Sequence, residues 1–130
     1  MKVLRRRYGC PVEFALQFVG AKWRTVILAW LKEAPHRYAE LRARMPGVSD
    51  KILTQRLKEL VALGLVTREP GPGRATQVYR LSPRGESLRP VLDSLYGWGN
   101  DLAAELDVTV GTGSPGRRPR PRGKAERPIL

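Results

Sequence analysis

The feature that most constrains this chain is a change in the spacing of its apolar residues. From Trp23 to Val61 they recur at three- and four-residue intervals, and from Leu65 the interval drops to two. The first spacing puts side chains on one face of a helix, the second on one face of a strand. Trp23, Val26, Ile27, Trp30 and Leu31 give a helix from Lys22 to about Glu33, stopped by Ala34-Pro35. Before it, Cys10-Pro11 reads as a helix start, since proline suits the first turn. Val12, Ala15, Leu16 and Val19 form one apolar stripe of that helix, and Phe14 and Phe18 a second, before Gly20 ends it. A helix apolar on two sides is expected to touch its own core and another subunit.

His36-Arg37-Tyr38 reads as a short connection or minimal strand, and a third helix fits Tyr38 to Arg44 with Tyr38, Leu41 and Met45 inward. After the turn signal Pro46-Gly47, Ser49 is a good N-cap for a fourth helix running to about Leu63. Its expected buried stripe is Ile52, Leu53, Leu57, Leu60 and Val61, with Gly64 as a left-handed C-terminal cap. Residues 65–69 and 77–81 read as strands around the Gly- and Pro-rich loop 70–76. A last helix is expected from Ser82-Pro83, lined by Leu88, Val91, Leu92, Leu95, Tyr96, Leu102, Ala103 and Leu106. Pro90, Gly97 and Gly99 are expected to kink it. The fold class is mainly α with a small β-hairpin, a winged helix-turn-helix. The expected organisation is a basic N-terminal arm 1–9, a folded domain 10–108, and a disordered Arg/Pro/Gly-rich tail 109–130.

Charge narrows the function. The net charge is +12, and residues 1–110 alone carry 18 basic against 11 acidic residues, or +7. The folded part itself therefore favours a polyanionic partner. The tail, with Arg117, Arg118, Arg120, Arg122, Lys124 and Arg127, reads equally well as a non-specific electrostatic arm or as an unselected extension. Residues 38–63 form two helices joined by a tight Gly-containing turn. Opposite the leucine stripe of the second helix lie Ser49, Asp50, Lys51, Thr54, Gln55 and Lys58. The major groove admits one helix, and side chains near its N-terminus reach base edges. Gln55 suits adenine, Lys51 suits guanine, and Thr54 suits a polar edge or a thymine methyl. Lys58 and Arg56 suit phosphates. The loop after this pair reads as a wing, with Arg74 at its tip for a minor groove and Arg68 and Arg80 for phosphates beside it.

With these residues in place, the sequence resembles the HxlR-type family of bacterial winged-helix regulators, relatives of the MarR group. The resemblance rests on an ordered set of stretches across residues 10–100. They are Cys10-Pro11-Val12-Glu13, Lys22-Trp23-Arg24, Arg37-Tyr38-Ala39-Glu40-Leu41-Arg42, Pro46-Gly47-Val48-Ser49, Lys51 through Leu60, Gly64-Leu65-Val66, Val78 through Gly85 and Leu88 through Leu92. It implies a homodimer built from the first and last helices, with one recognition helix per half-site. Such a two-fold dimer is expected to bind a palindromic operator and to act on transcription as a repressor or an activator, with repressor the favoured reading. Gly20-Ala21 and Asp50 depart from the family pattern, and so does the basic tail. A carboxylate near phosphates is unfavourable, and Asp50 is instead expected to serve the helix N-terminus, where negative charge is stabilised.

Cys10 is the single cysteine, so no internal disulfide forms. Some members of the resembled family use a cysteine here to sense oxidants or electrophiles. A thiol at a helix start near Arg5, Arg6 and Arg7 is expected to be reactive; the other reading is a small packing residue. His36, the only histidine, is expected on a surface loop and in no metal site. Trp23, Trp30 and Trp98 are read as core and interface residues, with a small-molecule effector pocket beside the dimer helices left open. No apolar run approaches the roughly 18 residues of a membrane span. The basic opening is not followed by a signal-type apolar stretch, so a cytoplasmic location is expected. No phosphate loop, activated nucleophile or paired carboxylates are found, and neither an enzyme nor a cofactor is expected. The alternative function is a winged-helix protein-interaction module, which the basic, polar face of the second helix disfavours.

Overall fold

The computed structural model describes residues 4–73 and 76–111. Its helices are α1 (Pro11–Val19), α2 (Arg24–Glu33), α3 (Tyr38–Arg44), α4 (Asp50–Ala62), α5 (Pro83–Glu86) and α6 (Arg89–Glu105). The strands are β1 (His36–Arg37), β2 (Val66–Pro70) and β3 (Gln77–Leu81), in the order β1-β3-β2. Both pairings are antiparallel, with Val66 opposite Leu81 and Pro70 opposite Gln77 in the hairpin. The Arg/Pro/Gly-rich tail beyond residue 111 and the loop tip Arg74 lie outside the described residues.

Local chemistry sets most boundaries. Pro11 occupies the first turn of α1, where a missing N–H costs nothing. Ser49 Oγ accepts from the Ile52 N–H at 3.1 Å and caps α4. Gly64 takes φ +78° just past α4, in the left-handed region that glycine enters without a Cβ penalty. Ser82 Oγ then accepts from the Gly85 N–H and donates to the Gly64 carbonyl, while Arg84 donates to the Leu63 carbonyl at 2.8 Å. The end of α4 is thus satisfied by the start of α5, which fixes the hairpin against the helix pair.

The core lies where α2, α3 and α4 meet the sheet. Ile27, Leu28, Leu41, Leu53, Leu57, Leu60, Leu65 and Val66 are fully buried. At about 1.5–3 kcal/mol for each large aliphatic side chain, this cluster supplies most of the driving force that holds α4 in place. Lys32 of α2 is also buried, and its ammonium donates to Asp93 of α6 at 2.7 Å, tying the last helix to the core.

Four expectations are corrected. The helix expected from Lys22 begins at Arg24, because Trp23 takes a left-handed φ of 79° at its N-cap. The minimal strand read at His36-Arg37 forms and joins the hairpin as a third strand, with His36 and Arg37 opposite Tyr79 and Val78. This pairing buries His36, only 4% exposed, rather than leaving it on a surface loop. Its Nδ1 donates to the Ala34 carbonyl at 2.7 Å, and Arg44 Nε donates to its Nε2 at 3.2 Å. Val61 is exposed, because it lies on the flank of the Leu53–Leu57–Leu60 stripe. The last helix is two helices, broken at Ser87-Leu88, and it runs on through Gly97 and Gly99. The break precedes Pro90 because a proline ring clashes with the carbonyl four residues back.

α1 buries none of its residues. Its Val12, Phe14 and Leu16, with Val91, Leu95 and Trp98 of α6, remain exposed large apolar side chains, and Trp98 is 66% exposed. Among the described residues no helix is long and apolar enough to cross a membrane.

Candidate nucleic-acid interface

The leucine stripe of α4 faces the core, so the opposite face of this 13-residue helix is turned outward. Asp50, Lys51, Thr54, Gln55 and Lys58 are exposed there, and with Glu59 and Ala62 they line a shallow groove of about 780 Å³. Four of the expected contact residues, Lys51, Thr54, Gln55 and Lys58, are therefore brought together on one surface. Ser49 sits at the head of the helix, but its hydroxyl is committed to capping. Gln55 Nε2 lies 3.4 Å from Glu59 Oε2, a long bond that a better partner would replace.

Arg56, expected to the side of this face, stands apart from the row. It lies on the flank of α4 toward the start of α2, where its guanidinium donates to the Lys22 carbonyl at 2.9 Å and to Glu59 at 3.0 Å. Glu59 also accepts from Arg24 at 3.0 and 3.1 Å. Arg24 in turn donates to the Gln17 and Phe18 carbonyls at the end of α1. A single carboxylate therefore gathers two largely buried guanidinium groups and joins α1, α2 and α4. Sequence reasoning missed this knot, because Arg24 and Glu59 are 35 residues apart and each looks like an ordinary surface charge.

On the other flank, Asp50 meets α3. Tyr38 Oη donates to Asp50 Oδ1 at 2.8 Å, Arg42 Nε donates to the same oxygen at 2.9 Å, and Arg42 also reaches the Met45 carbonyl. Thr54 Oγ1 is 3.5 Å from the Tyr38 hydroxyl. The Tyr38 hydroxyl, followed by the Arg42 guanidinium, holds the Asp50 carboxyl below the usual carboxylate range. Burial pushes the Tyr38 hydroxyl up. Asp50 is thus an ionised, braced side chain, 73% exposed at the head of the groove. Tyr38 and Arg42 stand four apart on one side of α3, which the sequence shows; that this side meets Asp50 depends on the turn between the helices.

The hairpin packs against α4 through β2. Gly71 N–H donates to the Thr76 carbonyl at 2.8 Å, closing the loop. Arg68 is exposed on β2, and Arg80 on β3 is half-exposed and paired with Glu69 at 3.1 Å. Cys10 is an exposed free thiol at the N-cap of α1, where its side chain caps nothing. It lines a groove with Leu4, Arg5, Arg6, Tyr8, Pro11 and Phe14. Arg5 does not turn to the thiol; it pairs with Glu13 at 2.7 Å and lies over the Tyr8 ring. Among the described residues no cluster of three His, Cys, Asp or Glu side chains could hold a metal ion.

Known proteins share this arrangement. Residues 18–107 match the model of the HxlR-like helix-turn-helix family. The chain is 40% identical over 96 residues to the uncharacterised HTH-type transcriptional regulator YtcD of Bacillus subtilis strain 168, covering 73% of this chain and 76% of that protein. The redox regulator HypR in its oxidised form has a TM-score of 0.65 at 34% identity, covering 69% of this chain and 94% of HypR. Quinone-bound YodB from B. subtilis has a TM-score of 0.60 at 30% identity, covering 70% of this chain and 98% of YodB. The helix pair, the three-stranded sheet and this similarity agree on one assignment: the chain belongs to the HxlR-like helix-turn-helix family, a MarR-like group of DNA-binding transcriptional regulators that are not enzymes.

Proposed function

We propose that two copies of the chain form a dimer that binds a palindromic operator and represses transcription from it. The observation that carries this reading is the exposed polar face of α4, with Lys51, Thr54, Gln55 and Lys58 along one groove directly behind a fully buried leucine face. Inserted in a major groove, that face offers Gln55 to adenine, Lys51 to guanine and Thr54 to either polar or methyl edges. Lys58, Arg68 and Arg80 meet phosphates, Arg80 exchanging Glu69 for a phosphate oxygen. The loop 70–76, with Arg74, enters the adjacent minor groove. The exposed apolar residues of α1 and α6 support the dimer, since a patch of this kind on a regulator marks an interface. Two recognition helices then engage half-sites about one helical turn apart. A cytoplasmic location follows from this role.

Cys10 is proposed as the input. Its thiol lies on α1, the same helix that offers Val12 and Leu16 to the partner copy, so chemistry there reaches the dimer seam directly. Relatives solved in an oxidised form and with a quinone bound support an oxidant or electrophile as the effector.

The test is selection of bound sequences from randomised duplexes at low ionic strength, followed by gel shifts on the enriched site. An inverted repeat is expected, with affinity falling steeply as salt rises. Failure to retain any duplex sinks the DNA-binding reading. Diamide or a quinone should change the affinity of the wild type and not of Cys10→Ser; equal response of both sinks the sensor. Run-off transcription from the bound promoter should fall, and a rise would make the protein an activator.

A further inference from the structure

An exposed carboxylate on a surface that meets DNA raises the free energy of binding unless something answers its charge. Asp50 is the first helical residue of α4 and lines the same groove as Lys51, Thr54 and Gln55. Its surroundings do not bury it or fold it away; they brace it. Tyr38 Oη and Arg42 Nε converge on Oδ1 at 2.8 and 2.9 Å. Arg42 is itself held at the Met45 carbonyl, 3.2 Å away. This is the arrangement of a working acceptor: a reading group supported by a second set of side chains that fix its position. A carboxylate has about four acceptor sites, and the two donors from α3 occupy only part of them.

We infer that Asp50 is a specificity-determining residue of this regulator, accepting a hydrogen bond from the exocyclic amine of a cytosine in the major groove, with Tyr38 and Arg42 as positioning residues. The inference rests on the DNA-reading role proposed for α4 and extends it to one more base pair. The chemistry selects the base. Cytosine offers the N4 amine donor in the major groove, whereas guanine offers the acceptors N7 and O6, and thymine the acceptor O4. Adenine pairs its amine with the acceptor N7, which suits an amide rather than a carboxylate. An anion at this point therefore gains a charge-assisted bond over cytosine and is repelled by the acceptor-only edges. The carboxyl stays ionised because both donors favour its charged form. The Arg42 cation beside it offsets the repulsion from phosphates.

The experiment is selection from randomised duplexes with wild type, Asp50→Ala, Asp50→Asn and Tyr38→Phe, each shown to be folded by circular dichroism. Affinities are then measured on duplexes differing at one base pair. The wild type is expected to favour a C·G pair at one position per half-site by about tenfold, the lower part of the range for a good base contact. Asp50→Ala should flatten that position to twofold or less while the rest of the motif survives. Asp50→Asn, which brings an amide donor, should move the preference toward adenine. Tyr38→Phe should weaken the cytosine preference partway and leave the preference at the Gln55 position unchanged, which a merely structural hydroxyl would not do. Unchanged preferences in both Asp50 variants overturn the inference, and so does an equal loss at every position of the motif. A wild-type protein that enriches no sequence overturns it together with the DNA-reading role, whereas an enriched motif indifferent to Asp50 overturns the inference alone.

Discussion

Replacing Glu59 by alanine removes one side chain and disconnects three helices. Its carboxylate accepts from Arg24 at 3.0 and 3.1 Å and from Arg56 at 3.0 and 3.1 Å. The side chains of Arg24, Arg56 and Glu59 are only 13%, 19% and 18% exposed. A hydrogen bond to a charged group contributes about 1.5–3 kcal/mol, so the two guanidinium contacts together amount to about 3–6 kcal/mol. Two effects reduce this. Arg24 keeps the Gln17 and Phe18 carbonyls and Arg56 keeps that of Lys22, and the residual exposure lets water reach the freed charges. The expected loss is about 3 kcal/mol, near the lower end of the cost of breaking a buried pair. With a urea slope of about 1–3 kcal/mol per molar, the unfolding midpoint should fall by about 1 M or more. The assay is urea denaturation followed by far-UV circular dichroism, at one fixed protein concentration because dimerisation adds to stability. Glu59→Gln should recover about half of the loss. The double variant Arg24→Ala/Glu59→Ala should cost clearly less than the sum of the singles, as expected for residues in direct contact. A midpoint shift below about 0.3 M for Glu59→Ala, or strict additivity in the cycle, would refute the reasoning.

Three further outcomes are expected. Gln55→Ala should cost about 1–3 kcal/mol on the selected site and little on other DNA, whereas Lys58→Ala should weaken all duplexes alike and make the salt slope shallower by about one; gel shifts over a salt series measure both, and equal losses for Gln55→Ala on both kinds of DNA count against base reading. Gly85→Ala should destabilise by about 1–3 kcal/mol in the same urea assay, because a Cβ there would run into the Leu65 backbone carbonyl and meet Leu81. That carbonyl already accepts from the Ser82 N–H at 3.0 Å, and a wild-type midpoint would show that α5 can move away freely. For Asp50, whose carboxyl is lowered by Tyr38 and Arg42, the stabilisation is present above the unfolded-state value of about 3.9 and is lost as pH falls from there through the lower folded-state value. The stability gap between wild type and Asp50→Asn should therefore hold from neutral pH down to about 4 and close only below it, and a gap already closing at pH 6 would contradict the assigned shift.

How much of this was legible in the sequence depends on how local the deciding interaction is. The change from helical to strand spacing at Leu65 placed the helix pair and the hairpin. Ser49, Gly64 and Ser82 marked their ends through contacts within a few residues. Once the leucines of α4 were assigned inward, the outward position of Lys51, Thr54, Gln55 and Lys58 followed, because a helix has only one opposite face. Other features required chain segments to approach through space. Tyr79 and His36 pair only because β3 passes beside α2, and that pairing turned a presumed loop histidine into a core residue. The partners of Arg56, the Lys22 carbonyl and the Glu59 carboxylate, come from the packing of α4 on the start of α2. The turn between α3 and α4 likewise determined that Asp50 would be braced by Tyr38 and Arg42. Residue spacing encodes which side of an element is apolar, since that is a property of one segment. The partner found by each charged side chain on a flank is set by the angles at which segments pack, and those arise only when the whole core has formed.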